Sequence, residues 1–297
     1  MKKSLLILPI IFINICLKGQ SFHNALAFGY QHAPNSKTFN TCKLSKLYFQ
    51  ASIPIKLKSG NYLLFNPDLH QQTFNFENQK QLTCYKTGMS ATYLHLGDKR
   101  NTIGILNFSN NFESGNFTGH PIQIGAGVLF IKKKSASLKW KYGLYVNREY
   151  FGLLVVPLFG MDYKINSKHR VYGILPQNLR YEYKANSKSR TGLIFETPIY
   201  TYALNQQSST YIDQRHIQLG VYQSIYLSKN IVLDLSIKQP ISSKQNLFNT
   251  NQMYMFNVLG VGIGGKRSSD KLPISRYKTG LVFEMSLNYR IEVEKAE

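Results

Sequence analysis

The stretch RYKTGLVFEMSLNYRI, residues 276–291, alternates in character at every position. One set is Tyr277, Thr279, Leu281, Phe283, Met285, Leu287, Tyr289 and Ile291; the other is Lys278, Gly280, Val282, Glu284, Ser286, Asn288 and Arg290. Successive side chains of a β-strand point to opposite faces, so a period of two predicts a strand with one apolar and one polar side. Strands of soluble domains run to about 5–6 residues. An alternation roughly three times that long predicts a strand that crosses something thick. Tyr277 and Tyr289 lie 12 positions apart. That spacing is about 40 Å of strand, or roughly 28 Å of height at a tilt of about 45°. An outer-membrane barrel presents an apolar band about 25 Å tall, rimmed by aromatic girdles. A long hairpin in a soluble sandwich would alternate in the same way, so the rest of the chain has to decide.

MKKSLLILPIIFINICLKGQS at the N-terminus has two lysines, an apolar run from Leu5 to Leu17, and then small and polar residues. This is the three-part build of a secretory signal peptide, expected over residues 1–19 with cleavage near Gly19 and Gln20. The run is shorter than the roughly 20 residues a spanning helix needs, and no later stretch reaches that length. Helical spans are thereby excluded on hydropathy, and residues 20–297 are expected to form one domain, soluble or a barrel. With 20 Tyr, 18 Phe, 21 Gly and a single Trp, composition favours an all-β architecture.

The alternation recurs. Leu47, Phe49, Ala51, Ile53 and Ile55 oppose Tyr48, Gln50, Ser52, Pro54 and Lys56; Ile122, Ile124, Ala126, Val128 and Phe130 oppose Gln123, Gly125 and Gly127. Trp140, Tyr142, Leu144 and Val146 face away from Lys141, Gly143, Tyr145 and Asn147. Leu179, Tyr181 and Tyr183 alternate with Arg180, Glu182 and Lys184, and Ile231, Leu233, Leu235 and Ile237 with Val232, Asp234, Ser236 and Lys238. KINSKHR around Asn166 and KANSKSR around Asn186 are near-copies, and both suit tight polar turns because Asn and Ser bond their own backbone. The fold class expected is a single antiparallel transmembrane β-barrel of roughly 10–14 strands. Tracing the alternation through 241–275 leaves the last strand ending on the wrong side, which signals a mis-split hairpin there.

Residues 140–196 carry a YGLY strand, a Pro before GMDYKI, a short N-x-K turn, GILP and an aromatic strand leading into a second lysine-bearing turn. This region resembles the most recognisable part of a Bacteroidetes family of uncharacterised outer-membrane β-barrel proteins, and the terminal FEMSLNYRI is similar to the closing strand of such barrels. The resemblance implies fold, an outer-membrane location and handling by the barrel assembly machinery, and brings no catalytic residue. EVEKAE after Ile291 departs from the aromatic ending usual for those barrels.

If the apolar set faces lipid, the polar set faces a lumen. That reading nominates Asp162, Lys164, Arg180, Glu182, Lys184, Glu196, Asp234, Lys238, Lys278, Glu284 and Arg290 as lumen charges, and Trp140, Tyr142, Tyr181, Tyr183, Tyr277 and Tyr289 as girdle residues. Charges of both signs inside a barrel either pair across strands and fill the interior or select solutes in a pore; the first is favoured. Lys+Arg total 36 against 15 Asp+Glu, a formal +21. Because the lysines concentrate in turns, the partners expected are outer-membrane lipids, lipopolysaccharide phosphates included, and not nucleic acid.

No cofactor or metal motif emerges. GVGIGGKR, residues 260–267, has P-loop glycine spacing, but Arg267 stands where Ser or Thr should hold magnesium. The seven histidines lack metal-site spacing. Cys42 and Cys84 would meet an oxidising periplasm, which leaves a disulfide open. An enzyme of outer-membrane lipase or protease type would need a nucleophile, a base and an orienter; His216, Ser224 and Asp234 are the best available set, without a G-x-S-x-G elbow. The function expected is therefore non-enzymatic: a structural barrel or a narrow passive pore for small anionic solutes. The alternatives are that enzyme and an exported soluble β-sandwich.

Overall fold

The computed structural model describes residues 22–34, 41–77, 81–115, 122–204, 210–249, 251–258, 261–265 and 275–292. The signal peptide expected over 1–19 lies outside them. The strands are β1 (Phe22–Ala33), β2 (Cys42–Ala51), β3 (Ile53–Lys56), β4 (Tyr62–Phe76), β5 (Leu82–His95), β6 (Arg100–Glu113), β7 (Gln123–Lys133), β8 (Leu138–Glu149) and β9 (Gly152–Lys164). They continue with β10 (His169–Leu175), β11 (Asn178–Lys184), β12 (Ser189–Glu196), β13 (Ile199–Ala203), β14 (Thr210–Tyr226) and β15 (Ile231–Asn249). The last are β16 (Tyr254–Val258), β17 (Val261–Gly265), β18 (Ser275–Tyr277) and β19 (Val282–Glu292).

The wall strands pair antiparallel with their neighbours in chain order, and the first closes on the last: Phe22 stands opposite Glu292 and His32 opposite Phe283. Three wall strands are broken in two. β2 and β3 both pair with β4, β12 and β13 with β14, and β18 and β19 with β15. The result is a closed 14-strand antiparallel barrel. A closed single sheet has no second sheet to pack against, which removes the soluble sandwich. The extra hairpin β16–β17 lies between β15 and β18, and it is why the alternation through 241–275 does not trace.

The near-copied turns close in the same way. The Asn166 side-chain oxygen accepts from the backbone N–H of Lys168 and His169, both at 2.9 Å; that of Asn186 accepts from Lys188 N–H at 2.8 Å. These asparagines close the turn locally, so the neighbouring strands are joined by only four residues, 165–168 and 185–188. Six turns of four or five residues, 57–61, 96–99, 134–137, 165–168, 185–188 and 227–230, lie at the end that carries both termini, called the turn end below. The longer connections gather at the other end, the loop end, together with the two-residue turns 150–151 and 176–177.

Outside, the apolar set stands exposed: Phe28, Leu106, Ile124, Leu193, Phe283 and Leu287 among many. Inside, the polar set is buried: Lys46, Lys141, Asp162, Arg170, Glu182, Lys238 and Arg290. The usual partition of a soluble protein is inverted.

The loop-end mouth is roofed over. β13 makes a parallel contact with β6, Ala203 opposite Phe112, and β16 runs parallel to β9 over Leu153–Val155. β13 and β6 are not neighbours around the ring, so the first contact spans the opening. The second takes the edge of β9 beyond the point where short β10 ends. Beneath the roof Phe74, Phe76, Tyr202, Ile212, Tyr277, Cys42 and Cys84 form an apolar cluster within the barrel. Both cysteines are free thiols.

Candidate functional site: the charged lumen

Alternation sends one residue in two from every wall strand into the lumen, and pairing on neighbouring strands decides what they meet. Asp162 on β9 takes a two-pronged contact from Arg170 on β10, Nε to Oδ1 at 2.7 Å. One rung along, Arg190 on β12 reaches Glu182 on β11 at 3.3 Å. Arg290 on β19 binds Asp234 on β15 at 2.7 Å, and its Nε donates to Asn24 on β1 at 3.0 Å. Removing such charges from water costs several kcal/mol each, which only good pairing geometry offsets.

A larger junction sits at mid-height. Lys238 Nζ binds Glu196 at 2.8 Å and also binds Glu284. Arg180 approaches Glu196 at 3.7 Å, and the Tyr48 hydroxyl donates to Glu284 at 2.7 Å. A chain of contacts thus runs along the inner wall from β11 to β2. It divides two chambers. The loop-side chamber, about 560 Å³, is lined by Lys46, His70, Lys86 and His216. The turn-side chamber, about 400 Å³, is lined by Lys141, Arg170, Arg180 and Arg290. Tyr48 and Glu284 line both.

The roof is tied to the walls by polar side chains. Thr201 Oγ1 on β13 donates to Glu149 at 2.5 Å, and Asn147 and Gln123 amides donate to the same carboxylate at 2.7 and 2.9 Å. The Gln72 amide donates across the lumen to Gln214, and the Tyr202 hydroxyl donates to Gln72 at 3.1 Å.

Of the nominated charges, Asp162, Arg180, Glu182, Glu196, Asp234, Lys238, Glu284 and Arg290 meet in these contacts. Lys164 and Lys184 share the inward parity but end their strands at the turn rim, exposed. Two nominations need correction. Lys278 is exposed and Tyr277 is buried, packed on Phe76 with ring centroids 4.4 Å apart. Tyr277 stands opposite Gln245 on β15, whereas Val282 stands opposite Lys238. Tyr277 and Val282 are five positions apart and both buried, as are Gln245 and Lys238, seven apart on β15. An odd separation between two inward residues means that the alternation changes phase between β18 and β19. The other girdle nominations, Trp140, Tyr142, Tyr181, Tyr183 and Tyr289, are on the outer face toward the turn end; the Tyr181 hydroxyl meets His169 Nδ1 at 2.6 Å.

His216 and Ser224 are eight residues apart on one extended strand, about 27 Å at ~3.4 Å per residue, so they cannot act on one substrate atom. Ser224 does face Asp234. The described part of GVGIGGKR is strand β17, paired with β16. Among the described residues no group of His, Cys, Asp or Glu has the arrangement of a metal site. The nominations omitted Lys46, Lys86 and Lys141, although each was in reach of the same parity: Lys46 is the next inward step before Tyr48, and Lys141 lies between Trp140 and Tyr142.

Residues 30–257 match the family described as a domain of unknown function, DUF6268. The chain belongs to this family. No curated protein matches the chain. Among solved structures, it is similar to the NanC porin, at 7% identity over 88% of this chain and 98% of that one, with a TM-score of 0.37. It is also similar to the β domain of the Bordetella autotransporter BrkA, at 9% identity over 91% and 99%, with a TM-score of 0.38. A mutant of the Rhodopseudomonas blastica porin aligns at 8% identity over 91% and 99%, with a TM-score of 0.27. At such values the DUF6268 chain has to be read from its own geometry.

Proposed function

We propose that the chain is an integral outer-membrane barrel, turn end and termini toward the periplasm, that admits small anionic solutes to lumen chambers and offers no wide channel. The supporting observation is the inverted partition: large apolar side chains cover the exterior while ionised ones are held inside. Such a surface in water would be a contiguous apolar patch far beyond what soluble proteins carry. In a bilayer it faces hydrocarbon, and a closed barrel leaves no backbone group unpaired there. The roof and the mid-height junction favour chambers over free passage. Carbonate-washed membranes should retain the protein, and its gel mobility should shift on boiling. Recovery in the soluble fraction without detergent would overturn the reading.

The orientation brings a lipid partner. Lys58, Lys99, Lys134, Lys168, Lys188 and Lys229, one from each connection at the turn end, are all exposed. They lie beyond Trp140, Tyr142, Tyr181 and Tyr183, at the level of lipid phosphates. This basic rim suits anionic phospholipids of the periplasmic leaflet, worth about 1 kcal/mol per lysine near a charged surface. Lipopolysaccharide contacts fall to the loop end. Replacing the six lysines with Gln should abolish preferential retention of phosphatidylglycerol over phosphatidylcholine in lipid exchange; unchanged retention would refute the assignment. The closing strand β19 is the element the barrel assembly machinery would read.

A further inference from the structure

We propose that the loop-side chamber holds a specific anion site centred on Lys46, taking the carboxylate or phosphate group of a small polar solute. The inference rests on the membrane-barrel reading above and adds a ligand class and a position.

Lys46 is only 7% exposed. Its Nζ donates to the Tyr200 hydroxyl oxygen at 3.2 Å and lies 4.4 Å from the centre of that ring. Of the cations lining this chamber, Lys86 has Asp68 at 2.7 Å, and Lys238 has Glu196 and Glu284. Lys46 has no carboxylate within ion-pair distance among the described residues. A buried ammonium without a counter-charge is expensive, so an ion delivered from solution gains what the fold does not supply.

The surroundings point the same way. His70 lies directly opposite Tyr48 and Lys86 on the flanking strands, diagonal to Lys46. Its ring edges toward Tyr200 at 6.2 Å between centroids. His70 is 5% exposed; Asp68 lies 3.6 Å from its Nε2, but neither ring nitrogen makes a hydrogen bond, and His216 Nδ1 and Gln218 Oε1, in the same chamber, make none either. A ligand with hydroxyl or amide groups around one anionic group would satisfy the set. The chamber carboxylates make their short contacts elsewhere. Glu196 and Glu284 hold Lys238, and Glu149 is held by Thr201, Asn147 and Gln123. A volume near 560 Å³ falls in the range of small-molecule sites, about 300–1,000 Å³.

Inorganic phosphate is the probe. Detergent-purified barrel is titrated with phosphate at constant ionic strength, and the temperature of the gel-mobility shift is followed. Wild type should be stabilised with saturation; Lys46→Gln should lose the effect or bind at least tenfold more weakly. Lys141→Gln, which removes a buried lumen lysine from the other chamber, should keep it. Full phosphate stabilisation in Lys46→Gln, equal loss in both variants, or no stabilisation of wild type would each overturn the site. The mobility shift itself, present in every sample, reports separately on whether the chain is a barrel.

Discussion

Lys238 reaches Glu196 by passing over Gly220. The two stand opposite each other on β15 and β14, and a Cβ built on Gly220 would lie 2.7 Å from Lys238 Cγ. The missing side chain lets the lysine stem cross a whole strand to the carboxylate on β12. Tyr48 does the same over Gly29, where a Cβ would come within 2.4 Å of its hydroxyl, and so reaches Glu284 on β19. Two glycines that look like weak points in their strands thus permit the junction between the chambers.

Gly220→Val should cost more than the loss of Lys238. Lys238→Met removes the cation shared by two lumen carboxylates, at about 3–5 kcal/mol; a Cβ at 220 would displace the lysine stem and also press into the Ile237 carbonyl oxygen. The double variant Gly220→Val with Lys238→Met should cost more than Lys238→Met and less than the sum of the two, because both changes remove one contact. Urea midpoints of the folded band on unboiled gels give the comparison; strictly additive losses would show that the path of the lysine stem does not depend on Gly220.

Val128 is an exposed residue near the middle of β7. Val128→Arg should destabilise the inserted barrel by about 2–4 kcal/mol, the value for a cation at the bilayer midplane. Val128→Leu should be nearly neutral. Equal tolerance of both in lipid vesicles would place this face away from hydrocarbon.

The roof should control conductance. Tyr202 packs edge-on against Phe74 at 5.9 Å between centroids and holds Gln72. Tyr202→Ala is expected to cost about 3 kcal/mol through the cavity it leaves, and to give larger current steps than wild type in planar bilayers. Unaltered steps would mean that β13 does not limit passage.

Cys42 and Cys84 are both fully buried in the inner cluster. A maleimide should label neither in the folded barrel and both after boiling in detergent. Labelling of the native protein at a rate near that of free thiol would contradict the packing.

The wall was legible because each strand face meets one solvent. Where Leu47, Phe49, Ile124 and Val128 alternate with Tyr48, Gln123 and Gly127, parity alone reveals which side is wet. It failed where an irregularity moved the count by one. The register between β14 and β15 slips between Ile217 and Gln218, and the offset between β18 and β19 turned Tyr277 inward. Such shifts leave no mark in composition, since Tyr is at home both in a girdle and in a core. The roof was hidden for another reason. β13 reads as an ordinary strand, and only its non-local meeting with Phe112 tells that it leaves the wall. Lys46 was accessible to the same parity one step earlier, but its missing counter-charge depends on contacts between strands far apart in sequence.

The seam between β1 and β19 brings both described ends to the same rim, with Asn24 bonding Arg290 and Asn288 across it. A few flexible residues could therefore join Phe22 to Glu292, and new termini could be cut in another turn such as 227–230, where Asn230 is bonded to Arg290. A circular permutant of that kind keeps every ladder while changing which strand is made last. It would separate the order of synthesis from the shape that results.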